Sequence, residues 1–168
     1  MSILSIIVLG IGATIFMDIW ALIQQRLFGI PPLNYALVGR WIYCLTEGKL
    51  MHRSIIQTPK KPKEKALGWA LHYLIGVMFV VGHVSIFGQA WLSNPSLTPA
   101  LFTSTLTLIL PFFIMQPCFG FGIAASRTPT PWRARVLSLM AHTSYGLGLF
   151  LCALFSKIAN CKIALQNK

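Results

Sequence analysis

The sequence predicts an all-α integral membrane bundle of about four transmembrane helices, with a short interfacial helix in the first loop. Two observations lead to this fold class. The 168-residue chain is 55% hydrophobic and only 10% charged, whereas an ordinary soluble domain has roughly 25% charged residues. Its apolar residues also gather in four long runs, each able to cross the roughly 30 Å hydrocarbon layer of a bilayer. We therefore interpret residues 1–168 as a single membrane domain.

Four transmembrane spans are predicted from these runs, approximately at residues 3–23, 66–90, 100–125 and 136–156. The first span is apolar except for Asp18, and the second contains no Lys, Arg, Asp or Glu. Pro111 and Pro117 interrupt the third span, and because Pro117 has no N–H, the carbonyl of Phe113 needs another partner. Pro131 precedes the fourth span, where the first helical turn tolerates a missing N–H.

The loop at residues 24–65 separates the first two spans and is strongly basic. A glycine and two prolines at positions 29–32 are expected to end the first helix. Residues 33–45 mix aliphatic and aromatic side chains with Arg40, a pattern that predicts a short helix lying at the membrane interface. The loop carries eight Lys or Arg residues, and the loop before the fourth span adds Arg127, Arg133 and Arg135.

The distribution of charge predicts the orientation and the partner. The positive-inside rule places both basic loops in the cytoplasm and both termini on the other side. A tail with Lys157, Lys162 and Lys168 is the observation against this orientation. The formal charge of +11 lies between and after the apolar runs, which indicates anionic lipid headgroups as partners and not nucleic acid. A second copy of the chain or another membrane protein is left open as a further partner.

The polar side chains inside the predicted spans include His83 and a group of four, namely Asp18, His72, Gln116 and His142. An ionisable group at the centre of a span costs roughly 2.5–3.5 kcal/mol, so such groups usually face protein or water. Counting about 1.5 Å of rise per residue puts all four in the half of the bilayer next to the first loop, and His83 in the opposite half. We predict that the four residues line one intramembrane polar site.

Three roles are open for this site. Polar groups in small bundles often only hydrogen-bond helices together, which is a purely structural role. A proton relay or a substrate-binding site is the second role, because histidine titrates near neutral pH. A metal site is the third, since one carboxylate and two histidines can form a facial triad. No sequence motif supports a metal, and we predict neither a metal nor another cofactor.

Three arginines are candidates for contact with lipid headgroups or an anionic ligand: Arg40, Arg127 and Arg135. Arg127 lies in the segment 126–131, whose prolines are expected to end one helix and start the next. Such an arginine can bind a phosphate or reach back toward the polar site, and binding at a headgroup is the simpler interpretation.

Three groups of motifs carry a resemblance to a known family. They are Gly12-Ala13-Thr14 with Met17-Asp18-Ile19-Trp20, Val38-Gly39-Arg40-Trp41, Gly68-Trp69 and His72-Tyr73; Gln116-Pro117 with Ala124-Ala125-Ser126-Arg127-Thr128-Pro129; and Arg135, Ser138 and His142 with Tyr145-Gly146-Leu147-Gly148-Leu149. Together they resemble a family of small bacterial membrane proteins known as domain of unknown function 2938. The resemblance implies a multi-pass protein of the bacterial inner membrane, whose termini would be periplasmic if the basic loops are cytoplasmic. It implies no activity.

The leading hypothesis for function is a small permease or transport accessory. Asp18 would accept a proton or cation, His72 and His142 would relay it, and Gln116 would orient the site. One alternative is a membrane-embedded enzyme acting on a lipid-like substrate, with a histidine as general base and an arginine holding a phosphate. The other is a non-catalytic scaffold or assembly subunit whose small-residue faces bind partner helices. The usual enzyme signatures, such as G-x-S-x-G and H-E-x-x-H, are missing from the sequence.

Overall fold

The computed structural model of the chain describes residues 3–166, and the side chains of residues 3–159. In this part of the chain the regular structure is entirely helical, as predicted. The elements are α1 (Ile3–Phe28), α2 (Ala36–Thr46), α3 (Glu64–Phe87), α4 (Ala90–Ser93), α5 (Leu97–Leu106), a π-helical turn (Pro111–Met115), α6 (Gln116–Cys118), a 3-10 turn (Ile123–Ala125) and α7 (Pro131–Gln166).

Four of the described segments are long and apolar enough to cross a membrane: Ile3–Phe28, Glu64–Phe87, Leu97–Cys118 and Pro131–Ala159. The predicted membrane fold class is therefore confirmed. The segments begin or end a few residues away from most of the predicted bounds, and two of these differences have a clear cause in the backbone. The second ends at Phe87, because Gly88 adopts a φ of +75° that a continuing helix does not allow. The third ends at Cys118, ahead of a positive φ of +86° at Gly120.

Close packing of α1 between α3 and α7 forms the centre of the bundle. A Cβ built on Gly10 would lie 2.5 Å from the Cα of Val77 on α3, and one built on Gly148 of α7 would lie 2.7 Å from Cβ of Phe16 on α1. Small residues at such points let helix backbones approach without a side chain between them. The buried core that results contains Leu9, Ala13, Val80, Trp91, Ala100, Tyr145, Leu149 and Ala153.

A second buried cluster closes the bundle on the side of the first loop. The backbone N–H of Ile55 donates to the carbonyl of Phe119 at 3.0 Å, and that of His52 donates to the carbonyl of Cys118 at 2.9 Å. The Ile55 side chain is fully buried against Cys118 and Phe119. The first loop is therefore packed against the end of the third span and is not an unstructured basic segment.

Candidate functional site

Asp18 and His72 form a pair between α1 and α3. Their Oδ1 and Nε2 atoms are 3.0 Å apart, and the two side chains are 16% and 9% exposed respectively. The hydroxyl of Tyr73 donates to the other carboxylate oxygen, Oδ2, also at 3.0 Å. Both oxygens of a carboxylate inside a span thus have a hydrogen-bond partner, as a buried acidic group requires. The structure brings together two of the four predicted site residues here.

Tyr35, which precedes α2, covers this pair from the loop side. Its ring stacks on the imidazole of His72, with centroids 3.9 Å apart and an angle of 22° between the planes. The rings of Trp69 and Tyr35 pack edge to face, with centroids 4.8 Å apart. Burial, followed by the negative charge of Asp18, raises the pKa of the Tyr35 hydroxyl. The hydroxyl therefore stays protonated near the carboxylate and can act only as a neutral hydrogen-bonding group at ordinary pH.

His142 makes its hydrogen bonds to a different helix. Its Nδ1 lies 2.8 Å from Oγ1 of Thr107 and 3.2 Å from the carbonyl oxygen of Ser104. Both residues belong to the third span, Leu97–Cys118. The same face of α7 carries Gly146, where an added Cβ would lie 2.4 Å from Oγ of Ser104. The hydrogen bonds of His142 therefore link α7 to the third span, and they do not include Asp18.

Gln116, at the start of α6, lines a cavity of about 290 Å³. Its side chain is only 8% exposed, and its Oε1 atom has no hydrogen-bond partner. Tyr35 lines the same cavity. Because the ring of Tyr35 also stacks on His72, Tyr35 contacts both the cavity and the Asp18–His72 pair.

Arg40 is directed into the protein. Its Nε and one terminal nitrogen donate to the two carboxylate oxygens of Glu64 at 2.8 and 2.7 Å. Its other terminal nitrogen donates to the carbonyls of Ile55 and Thr58 at 3.0 and 2.9 Å. These bonds to Glu64 raise the pKa of the guanidinium. Arg40 is a candidate for headgroup contact from the sequence, but its side chain is only 6% exposed and instead joins the first loop to α2 and α3.

The two other candidate arginines lie near the 3-10 turn. Arg135 donates from Nε to the carbonyl of Ala124 at 2.8 Å, so part of its guanidinium also serves a structural contact. Arg127 is exposed, although its backbone N–H donates to the carbonyl of Phe121 at 2.8 Å. Arg127 is therefore the one of the three whose geometry leaves headgroup contact most open.

His83 lies apart from all these groups and is fully buried. Its Nδ1 is 2.8 Å from Oγ1 of Thr103, and its ring meets Trp91 with centroids 4.2 Å apart. Within the described side chains, no three His, Cys, Asp or Glu residues are grouped so that they could hold a metal ion. In place of one site, the geometry shows a carboxylate–histidine pair, a neighbouring cavity and a separate histidine contact on α7.

Comparison with known families shows which family the chain belongs to. Residues 7–156 match the family described as "Protein of unknown function (DUF2938)". The chain belongs to DUF2938. No curated protein and no solved structure matches this DUF2938 chain.

Three partners in this DUF2938 protein were not predicted from its sequence: Tyr35, Tyr73 and Glu64. Tyr73 follows His72 directly, and neighbouring helix positions point about 100° apart, so a shared partner was not expected. Glu64 had a signal that could have been used. A charged residue is almost never fully buried unless it is paired, and the chain has three Asp or Glu residues in all.

Proposed function

We propose that the chain is a small permease, or an accessory subunit of a transport system, in which the Asp18–His72 pair takes up and releases a proton. The observation that supports this most is the placement of the pair. An ionisable pair inside a span is costly and is usually kept for function. Here it lies next to a cavity, with the ring of Tyr35 in contact with both.

Each residue of the pair has a role that its contacts allow. Asp18 accepts a proton or a cation, and His72, which hydrogen-bonds it at 3.0 Å, takes up the proton from it and passes it on. Tyr73 and Tyr35 are neutral groups that hold the carboxylate and the imidazole in place. The cavity would receive the transported solute. Movement of Tyr35 would couple the protonation of the pair to the binding of the solute.

The two other hypotheses gain less support from the contacts. A lipid-directed enzyme needs an arginine free to hold a phosphate; Arg40 is bound to Glu64, so this role would fall to the exposed Arg127. A scaffold needs free small-residue faces for partner helices. Most helical glycines, among them Gly10, Gly76 and Gly146, instead face backbone or side chains of this same chain.

Trp69 offers a direct readout of proton binding, because its ring lies 5.7 Å from that of His72. The test is tryptophan fluorescence in nanodiscs between pH 5 and 8, with Trp69→Phe supplying the signal of the other tryptophans for subtraction. An imidazolium quenches a neighbouring indole, so we expect the Trp69 signal to fall as the pH falls. Asp18→Asn and His72→Gln should change or remove this response. His142→Gln should leave it in place, because His142 bonds to Thr107.

Transport is then measured in vesicles that enclose a pH-sensitive dye. A solute added outside should move protons in the wild type and not in Asp18→Asn. A Trp69 signal that is flat from pH 5 to 8 contradicts the proposed function, because histidine exchange in that range is its basis.

A further inference from the structure

The cavity beside the pair is lined mainly by apolar groups. It lies between the C-terminal half of α1, the segment 30–38, α6 and the first half of α7. The polar side chains among its lining residues are Gln24, Asn34, Tyr35, Gln116, Thr128 and Ser138, none of which is charged. Its volume of about 290 Å³ is at the lower end for small-molecule sites, roughly 300–1,000 Å³.

Two amides among the lining residues, one from α1 and one from α6, are poorly satisfied. Oε1 of Gln116 has no donor, although its side chain is more than nine-tenths buried. Gln24 on α1 is similarly buried, and its Nε2 donates to the sulfur of Met140 at 3.8 Å. A thioether is a weak acceptor, and buried polar groups normally have a good partner. The residues that line the cavity therefore include an acceptor without a donor and a donor with a weak acceptor.

We infer that this cavity binds a neutral, mainly apolar molecule that carries a hydroxyl group. A hydroxyl both donates and accepts hydrogen bonds, so it can donate to Gln116 and accept from Gln24. The apolar body fits the rest of the lining. A charged ligand is disfavoured because no lining residue is charged and an unpaired buried charge is very costly. This inference rests on the proposed function, for which it names the class of solute.

The same chemistry could come from two sources, a lipid such as diacylglycerol or a free long-chain alcohol. Phosphatidylcholine has no O–H or N–H donor, so nanodiscs of this lipid supply a background without competing hydroxyls. The probes are decanol and its matched ether, decyl methyl ether, which keeps the apolar chain and removes the donor. Their apparent affinities follow from the dependence of the melting temperature on ligand concentration.

For the wild type we expect decanol to bind roughly tenfold more tightly than the ether, the effect of one buried hydrogen bond. Gln116→Met should lose this preference, because it keeps the length of the side chain and removes the acceptor. Ala141→Leu should weaken the binding of both probes by filling the cavity, while Leu139→Met, on the exposed face of the same helix, should not. Equal binding of alcohol and ether by the wild type, or an unchanged preference in Gln116→Met, overturns the inference.

Diacylglycerol in the nanodisc separates the two sources. Competition with decanol supports a lipid ligand, and decanol binding that diacylglycerol leaves unchanged supports a free alcohol. Asp18→Asn should still bind decanol, because Asp18 does not line the cavity. If decanol fails while the Trp69 signal still follows pH, the ligand class is wrong and the proton-exchange proposal stands. If decanol binds but the Trp69 signal is flat, the ligand class stands and the proton-exchange proposal is wrong.

Discussion

The carbonyl oxygen of Tyr35 lies so close to Gly68 that a Cβ built on Gly68 would be 1.9 Å from it. No real Cβ tolerates such a distance from a backbone atom, so the α2 end of the first loop rests directly on the α3 backbone. The contact also fixes where Tyr35 stacks on His72. The packing of a glycine thus determines the geometry of the polar site.

We therefore expect Gly68→Ala to displace α2 and to weaken the pH response of Trp69. The matched control is Gly82→Ala on the same helix, where an added Cβ meets nothing within 4 Å. That control should be neutral or slightly stabilising, by up to about 1 kcal/mol from helix propensity. The measurement is thermal unfolding in nanodiscs together with the fluorescence titration. Equal changes of melting temperature and of pH response in the two variants would contradict the close contact between Tyr35 and Gly68.

Removal of Arg40 should be strongly destabilising. Arg40→Met leaves the carboxylate of Glu64 without its partner beneath the loop, at a cost of about 3 kcal/mol, the lower end for a buried pair. Arg40→Met combined with Glu64→Met should cost less than the sum of the single changes. The control is Glu47→Gln, which breaks the exposed pair with Lys61 and should hardly change the melting temperature. Additive losses for the two buried residues would show that they do not act as a pair.

The polar side chains of the spans should divide into two energetic groups. Asp18→Asn and His72→Gln remove the same contact, so their effects on unfolding should be coupled by at least about 0.5 kcal/mol. Asp18→Asn and His142→Gln have no common partner and should add within about 0.5 kcal/mol. Two double-mutant cycles by thermal unfolding decide this. Strong coupling of Asp18 with His142 would restore the single four-residue site expected from the sequence.

This division shows what the sequence could and could not predict. Hydropathy and rise per residue gave the spans and the common depth of Asp18 and His72, because both depend on position along one helix. Depth does not give the rotation of one helix against another. His142 has a comparable predicted depth, but its face of α7 meets α5 through Gly146 and Ser104. Only the tertiary structure shows which helix each face contacts.

The first loop was the least predictable part of the chain. A helix was expected at residues 33–45, and α2 forms at Ala36–Thr46. The remainder was treated as a basic segment, because its lysines dominate its composition. The residues that fold it are few and far apart, namely Arg40 with Glu64 and Ile55 with Phe119. Contacts of that separation leave no periodic signal.

Gly120 gives a test of this docked loop. An added Cβ would lie 2.3 Å from the carbonyl oxygen of Arg53, and the residue has a φ of +86°. Gly120→Ala should therefore release the loop and speed trypsin cleavage in nanodiscs after its basic residues. Gly48→Ala is the control, since it has a similar φ of +77° but open space around it. Cleavage at the same rate in both variants would indicate backbone strain instead of undocking.

The proposed orientation can be tested by labelling. We propose that the basic loops face the cytoplasm and its anionic headgroups. In a background without native cysteines, a membrane-impermeant maleimide added to intact cells should label Ser93→Cys and spare Lys60→Cys. Both positions are exposed and they lie in different loops. The reverse labelling pattern would show that the basic tail, and not the loops, sets the orientation.

The contact of Ile55 with Phe119 also imposes an order on biosynthesis. Arg40 and Glu64 can pair as soon as the start of α3 has been synthesised. Phe119, the partner of Ile55, is synthesised only after the end of the third span. At roughly 5–20 residues per second, the loop waits some seconds for it. During that interval the side chain of Ile55 lacks the residues that bury it in the folded protein. Ile55 can therefore be buried only after the residues that end the third span have been synthesised.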